Sequence, residues 1–166
     1  MVADWEHAFR TLLATRGSAL RSYAYLLTGD PTTAGDLVQE ALTRVFGRRR
    51  IGDDIDQLEA YVRRAMLNQY VDSRRRLKRW NATRHLLVDV PHHDDDRLAV
   101  ADEVRRGLAT LSPRQRACVV LRYYEDLTVA EIADELGCAE GTVKRHLADA
   151  RAKLAVQLGI TEESTQ

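Results

Sequence analysis

The run Arg74-Arg75-Arg76-Leu77-Lys78-Arg79-Trp80 concentrates positive charge into about two helical turns. On one helix face it supplies several phosphate contacts. Just ahead of it stand Tyr61 and Asn68, a ring that can stack on a base and an amide that offers a base edge both a donor and an acceptor. A second set of cations, Lys144, Arg145, His146, Arg151 and Lys153, follows Gly137. A third group, Asp36, Gln39, Glu40 and Arg44, recurs at three- and four-residue spacing. Acidic and amide groups on one helix face pair with basic side chains of a partner. Each group also has a plainer explanation. Cations near a helix C-terminus suit the macrodipole, and a polar stripe is what any solvated helix carries.

Other chemistry is excluded on residue type and spacing. No Ser-His-Asp or Cys-His arrangement, carboxylate pair or Gly-rich phosphate loop is recognisable, so catalysis is not expected. His92-His93-Asp94 lacks a cysteine or spaced histidine partner, and neither a metal nor a cofactor is expected. Cys118 and Cys138 fit no zinc spacing and read as packing thiols of a reducing compartment. No apolar run approaches the roughly 20 residues that cross a bilayer, and Met1-Val2-Ala3-Asp4-Trp5 is no secretory n-region, so membrane insertion is not expected and the cytoplasm is.

The 166 residues are 45% hydrophobic and 30% charged with three prolines, the profile of a folded helical chain. The net charge is zero, but residues 1–80 hold 14 Lys and Arg against 10 Asp and Glu, and residues 81–166 hold 11 against 15. Positive charge is therefore segregated into the first half.

The elements that must position these groups are all helices. Trp5, Phe9, Leu12, Leu13, Leu20, Tyr23, Ala24 and Leu27 mark a first helix with a break near Gly17, ending at Thr28-Gly29. Asp30 as N-cap and Pro31 at the first position open a second, buried through Leu37, Val38, Ala41, Leu42, Val45 and Phe46. A capping box Asp56-Gln57-Leu58-Glu59 opens a third, running through Tyr61, Val62, Ala65 and Met66 to about Arg79. Periodicity fades from Asn81 to Val100, where Pro91 and the aspartates 94–96 indicate a flexible linker. Val104, Leu108 and Leu111 resume the pattern. Ser112-Pro113-Arg114-Gln115 then caps a helix carrying Cys118, Leu121 and Tyr124 on one side, and Thr128-Val129-Ala130-Glu131 caps the next. Gly137 stops that helix, and Val143, Leu147, Ala150 and Leu154 define the last. Two helices closed by a Gly turn, with cations along the second, form a helix-turn-helix pattern. The fold class is all-α: two small helical domains, 1–80 and 101–159, joined by the flexible linker 81–100, with a tail at 160–166.

Taken together, residues 5–158 resemble the extracytoplasmic-function (ECF) branch of the sigma-70 superfamily. Leu27-Thr28-Gly29-Asp30 with Asp36-Leu37-Val38-Gln39-Glu40 is similar to the region 2 helix that docks on the clamp coiled coil of RNA polymerase, which implies core-binding roles for Asp36, Gln39 and Glu40. Leu58 to Asn68 resembles the segment that opens the promoter −10 element and captures an extruded base. That resemblance implies −10 contacts from Tyr61, Asn68, Arg74, Arg75, Arg76 and Lys78. Leu111 to Arg116 and Leu127 to Lys144 resemble region 4, which binds the polymerase flap and reads the −35 element. There the resemblance implies roles for Thr142, Lys144, Arg145, His146, Asp149 and Arg151. Ala139 stands where relatives often have serine, and Asp149 where a DNA-contacting arginine is common. The implied partners are core polymerase, promoter DNA and an anti-sigma factor. The competing assignment is a stand-alone LuxR-type regulator, whose recognition helix Thr142-Val143-Lys144-Arg145-His146 also resembles.

Overall fold

The computed structural model describes residues 2–48, 52–81 and 98–159, with side chains at 4–48, 52–72 and 102–159. It divides into two units, residues 1–71 and 72–166.

In the first unit, α1 (Val2–Thr28) packs along α2 (Pro31–Phe46), and α3 (Ile55–Asn81) comes next, continuing past the unit's limit at Val71. The break expected near Gly17 is absent; α1 is continuous. One helical glycine costs about 1 kcal/mol. On either side of it Leu12, Leu20, Tyr23, Ala24 and Leu27 are almost fully buried, each large one contributing about 1.5–3 kcal/mol. Burial wins.

The start of α2 is as expected. Asp30 is extended, its carboxylate accepts from the Thr33 backbone N–H at 2.8 Å and from the Thr33 hydroxyl at 2.7 Å, and Pro31 occupies the first helical position. Those bonds favour the ionised form, so its carboxyl is held below the ordinary range. For α3 the expected cap is displaced. Asp54, not Asp56, accepts from the N–H groups of Asp56 (3.0 Å) and Gln57 (3.4 Å), while its own carbonyl accepts from Leu58. Glu59 is engaged elsewhere: it receives the Arg63 guanidinium at 2.8 Å and Arg16 of α1 at 3.5 Å. Arg63 also lies over the ring of the buried Tyr23 at 5.1 Å. These bonds orient α3 against α1 while Leu58, Val62, Met66, Leu67 and Tyr70 fill the core.

In the second unit, α4 (Leu98–Ala109), α5 (Pro113–Val119) and α6 (Val129–Leu136) surround α7 (Glu140–Gln157). Both expected capping boxes are complete: Ser112 with Gln115, and Thr128 with Glu131. The α4 helix begins at Leu98, ahead of the expected start near Ala101. Its Val104 is 47% exposed rather than packed.

A π-helical turn over Val120–Tyr124 continues directly from α5, and Glu125 N–H reaches back five residues to the Val120 carbonyl at 3.1 Å. The wider turn changes the helical phase. Cys118 and Leu121 remain buried, but Tyr124, expected on the same side, is 44% exposed. Burial pushes the Cys118 thiol up to about 12, helped by the nearby Cys138, so it stays protonated and behaves as a small apolar group. Cys138 is only half-buried.

Candidate nucleic-acid interface

The α6–α7 pair has the geometry of a helix-turn-helix. Gly137 adopts φ 64°, ψ 41°, which an L side chain resists. Cys138 N–H bonds to Ala133 C=O at 3.0 Å and Gly137 N–H to Asp134 C=O at 3.4 Å, the paired bonds of a Schellman turn. Ile132 and Ala133 then meet Val143, Leu147 and Ala150 in the core. The α7 N-cap is Ala139, extended at φ −74°, ψ 151° with no side-chain bond to the helix.

The six residues expected on α7 do not share one face. At about 100° per residue, Thr142, Arg145, His146 and Asp149 fall on one flank, whereas Lys144 and Arg151 lie together on the other. Asp149 is thus close in phase to Arg145 but not to Lys144. It is exposed, and no ion pair joins it to Arg145 or Lys153 among the described residues. Lys153 instead donates to Gln115 Oε1 at 2.9 Å. Arg151 Nε donates to the Tyr123 hydroxyl at 2.9 Å, with its guanidinium 6.0 Å from that ring. His146 contributes less charge than a cation count suggests. Burial first, then Arg114 and Arg145, pull its pKa below the ordinary value of 6.5 against the opposing pull of Asp149, a net shift that favours the neutral ring.

In the first unit, the end of α2 and the middle of α3 enclose a cleft of about 400 Å³ lined by Arg44, Val45, Arg48, Tyr61, Arg64, Ala65 and Asn68. The four α3 residues have i, i+3, i+4, i+7 spacing and so form one stripe. Tyr61 is 51% exposed, with its hydroxyl accepting from Gln57 Nε2 at 3.2 Å. A stacking ring, an amide and three guanidiniums thus converge. Sequence reasoning singled out Tyr61 and Asn68 but not Arg48 or Arg64, and placed Arg44 only on a polar face. The signal was there: the run of arginines that starts at Arg48, and Arg64 on the same stripe as Asn68. Arg74, Arg75, Arg76 and Lys78 lie on the backbone of α3, but their side chains fall outside the described residues. So do residues 82–97, with His92, His93 and the three aspartates.

Asp36, Gln39 and Glu40 are exposed on α2, and Glu40 lies 3.8 Å from Arg44. Gln39 also borders an apolar groove of about 530 Å³ between α1 and α2, lined chiefly by Trp5, Phe9, Leu13, Val38, Leu42 and Phe46. Phe9 and Phe46 meet edge to face at 5.2 Å.

Family models for sigma-70 region 2 and sigma-70 region 4 match residues 12–80 and 101–154. The chain belongs to the sigma-70 family. It is 36% identical over 155 residues to the RNA polymerase sigma-E factor of Streptomyces coelicolor, covering 90% of this chain and 85% of that one. Against the ECF RNA polymerase sigma factor SigL of Mycobacterium tuberculosis it is 34% identical over 165 residues, 92% and 91% of the two chains. Two solved structures are similar to this sigma factor. The RpoE sigma factor of Bartonella quintana, in complex with the anti-sigma factor NepR, superposes with TM-score 0.69 at 25% identity over 93% of this chain and 98% of that one. CnrH, in complex with the cytosolic domain of CnrY, gives 0.63 at 26% identity over 93% and 89%. These matches bear out the ECF resemblance and the all-α expectation. The region 2 match disfavours the LuxR-type alternative, which a helix-turn-helix alone would have left open. Among the described residues, no helix is long and apolar enough to cross a membrane.

Proposed function

We propose that this sigma factor acts in the cytoplasm as a non-catalytic initiation factor that joins core RNA polymerase, melts a −10 element with its first domain and reads a −35 element with its second. The observation that carries the reading is the α2–α3 cleft, where Tyr61, Asn68 and three arginines converge. Stacking on an aromatic is worth about 1–3 kcal/mol per base, which offsets the few kcal/mol spent in removing a base from the duplex stack. Guanidiniums at the rim attract the flanking phosphates. The domain limits we assign are 1–80 for region 2, 81–100 for the linker, 101–159 for region 4 and 160–166 for the tail.

Core polymerase docks, in this reading, on the exposed Asp36, Gln39 and Glu40 through its clamp coiled coil, with the adjacent apolar groove taking side chains of the same partner. The flap engages region 4. On α7, Thr142, Arg145 and Asp149 form the base-reading flank, while Lys144 and Arg151 serve the phosphates. An anti-sigma factor is a further partner, supported by the similar sigma factor RpoE, solved in complex with the anti-sigma factor NepR.

Gel filtration with core polymerase and permanganate footprinting of a promoter test the reading together. The wild type should form a stable complex and expose −10 thymines. Asn68→Ala should keep the complex and lose most of the footprint, because the amide acts only after a base leaves the stack. Charge reversal at Asp36 or Glu40 should weaken the complex itself with helicity retained. Tight specific binding of duplex DNA by the chain alone, with no core complex, would refute it.

A further inference from the structure

The π turn that follows α5 places a tyrosine where a regular helix would not. Arg116, Val119 and Val120 stand seven, four and three residues before Tyr123, and all three are buried. In an uninterrupted α-helix those spacings put Tyr123 on the same buried stripe. The wider turn, marked by the bond from Glu125 N–H to the Val120 carbonyl at 3.1 Å, shifts the phase, and Tyr123 emerges 59% exposed. Its far end is pinned. Arg122 Nη1 donates to the Leu127 carbonyl at 3.0 Å, and Leu127 N–H donates to the Leu121 carbonyl at 3.0 Å. Single π turns inside helices recur at functional sites, and here the hydroxyl of the displaced ring meets the last helix.

That contact is specific in its chemistry. Arg151 Nε of α7 donates to the Tyr123 hydroxyl at 2.9 Å. The guanidinium lies 6.0 Å from the ring centroid, at the outer limit of a cation–π contact, so the hydroxyl rather than the ring face fixes it. Engaging Nε leaves the N–H groups of Nη1 and Nη2, a pair that grips a phosphate bidentately. Among the described residues Arg151 has no carboxylate partner. Both residues are exposed, so water competes for the same atoms and the bond adds little to folding.

A long cationic side chain on a helix surface loses rotamer freedom when it grips a phosphate, and one that is already held loses less. We infer that Tyr123 is a positioning residue for promoter binding: it presets the Arg151 guanidinium with Nη1 and Nη2 free for a backbone phosphate of the −35 duplex. This rests on the proposed function, which assigns Arg151 to the phosphates, and it adds to the binding site a residue that precedes the helix-turn-helix.

The test is equilibrium binding of reconstituted holoenzyme to a promoter duplex over a range of salt concentrations, at a temperature that keeps the promoter closed. Tyr123→Phe keeps the ring and removes the acceptor, and it should weaken binding about three- to ten-fold. Because the cation remains, the slope of log affinity against log salt should stay within about 0.3 of wild type, whereas Arg151→Ala should reduce it by about one. In the Arg151→Ala background Tyr123→Phe should have no further effect. Tyr124→Phe, altering the neighbouring exposed ring, should bind like wild type. The Tm of Tyr123→Phe should move by less than about 2 °C. Wild-type affinity in Tyr123→Phe, with binding weakened in Arg151→Ala, overturns this inference alone. So does a loss that persists without Arg151, which makes the hydroxyl a DNA contact in its own right, a loss shared by Tyr124→Phe, or a loss accompanied by a larger fall in Tm, which makes the bond structural. Wild-type affinity and slope in Arg151→Ala remove the phosphate assignment itself, and this inference with it.

Discussion

Replacing Ala139 with serine should stabilise the second unit. The α7 helix starts at a residue that already has the extended backbone of an N-cap, φ −74°, ψ 151°, but no side-chain acceptor. The backbone carbonyl of Ala139 accepts from Thr142 at 3.0 Å and Val143 at 3.2 Å, so the first turn is formed and needs no rearrangement. Position 139 is exposed, and an added hydroxyl meets no packing constraint. An Ala-to-Ser change at such a site contributes about 1 kcal/mol, within a range of about 0.5–2. For a domain of this size that corresponds to a rise of about 4–8 °C in Tm. Differential scanning calorimetry of the full chain should show the second unit's transition moving up and the first unit's unmoved. Ala139→Val, which fits the same backbone and brings no acceptor, should give no gain. An unchanged or lower transition for the serine variant, or an equal rise for valine, would refute the capping argument.

Gly137→Ala should destabilise the same unit by about 1–2 kcal/mol in urea; an added Cβ meets nothing within 4 Å, so the loss is conformational alone, and Gly137→Asn should lose less. Asp30 has a folded pKa below its ordinary 3.8, so its contribution is present above that value and lost as pH falls through the folded pKa. Urea titrations should therefore show wild-type stability falling more steeply below about pH 4 than that of Asp30→Asn, which keeps the cap without the charge. For Asp149→Arg, a randomised −35 library should report stronger, more salt-sensitive binding and a shift toward guanine at one base pair. Identical base preferences in wild type and variant would remove Asp149 from the base-reading flank.

The features legible in the sequence were those whose cause is local. Asp30-Pro31, Ser112 with Gln115, Thr128 with Glu131, and Gly137 each form a bond or adopt a dihedral set within a few residues, and each stands where the sequence places it. The misreadings have tertiary causes. Gly17 fails to break α1 because burial on both sides outweighs its propensity. The α3 cap moves from Asp56 to Asp54 because Glu59, the other half of the expected box, is drawn to Arg16 and Arg63. Tyr124 leaves the core because a π turn changes the phase, which a 3.6-residue period does not anticipate. In the candidate site, Tyr61 and Asn68 were visible as residue types suited to a base. Arg64 shares their stripe and could have been read with them, whereas Arg44 joins them only across two helices, and periodicity describes one at a time.

The π turn at Val120–Tyr124 also bears on how a hybrid sigma factor should be assembled from this one. A π turn takes about one residue more than an α turn, so two chains aligned by sequence across it can agree in length and still differ in phase. A junction that drops or adds a residue there rotates the downstream segment by about 100°, carrying Leu121 outward or Tyr123 inward. The natural seam lies ahead of α4, which packs on α7: exchanging everything from Leu98 onward keeps α4 with its partner helix and carries along the turn that sets the phase.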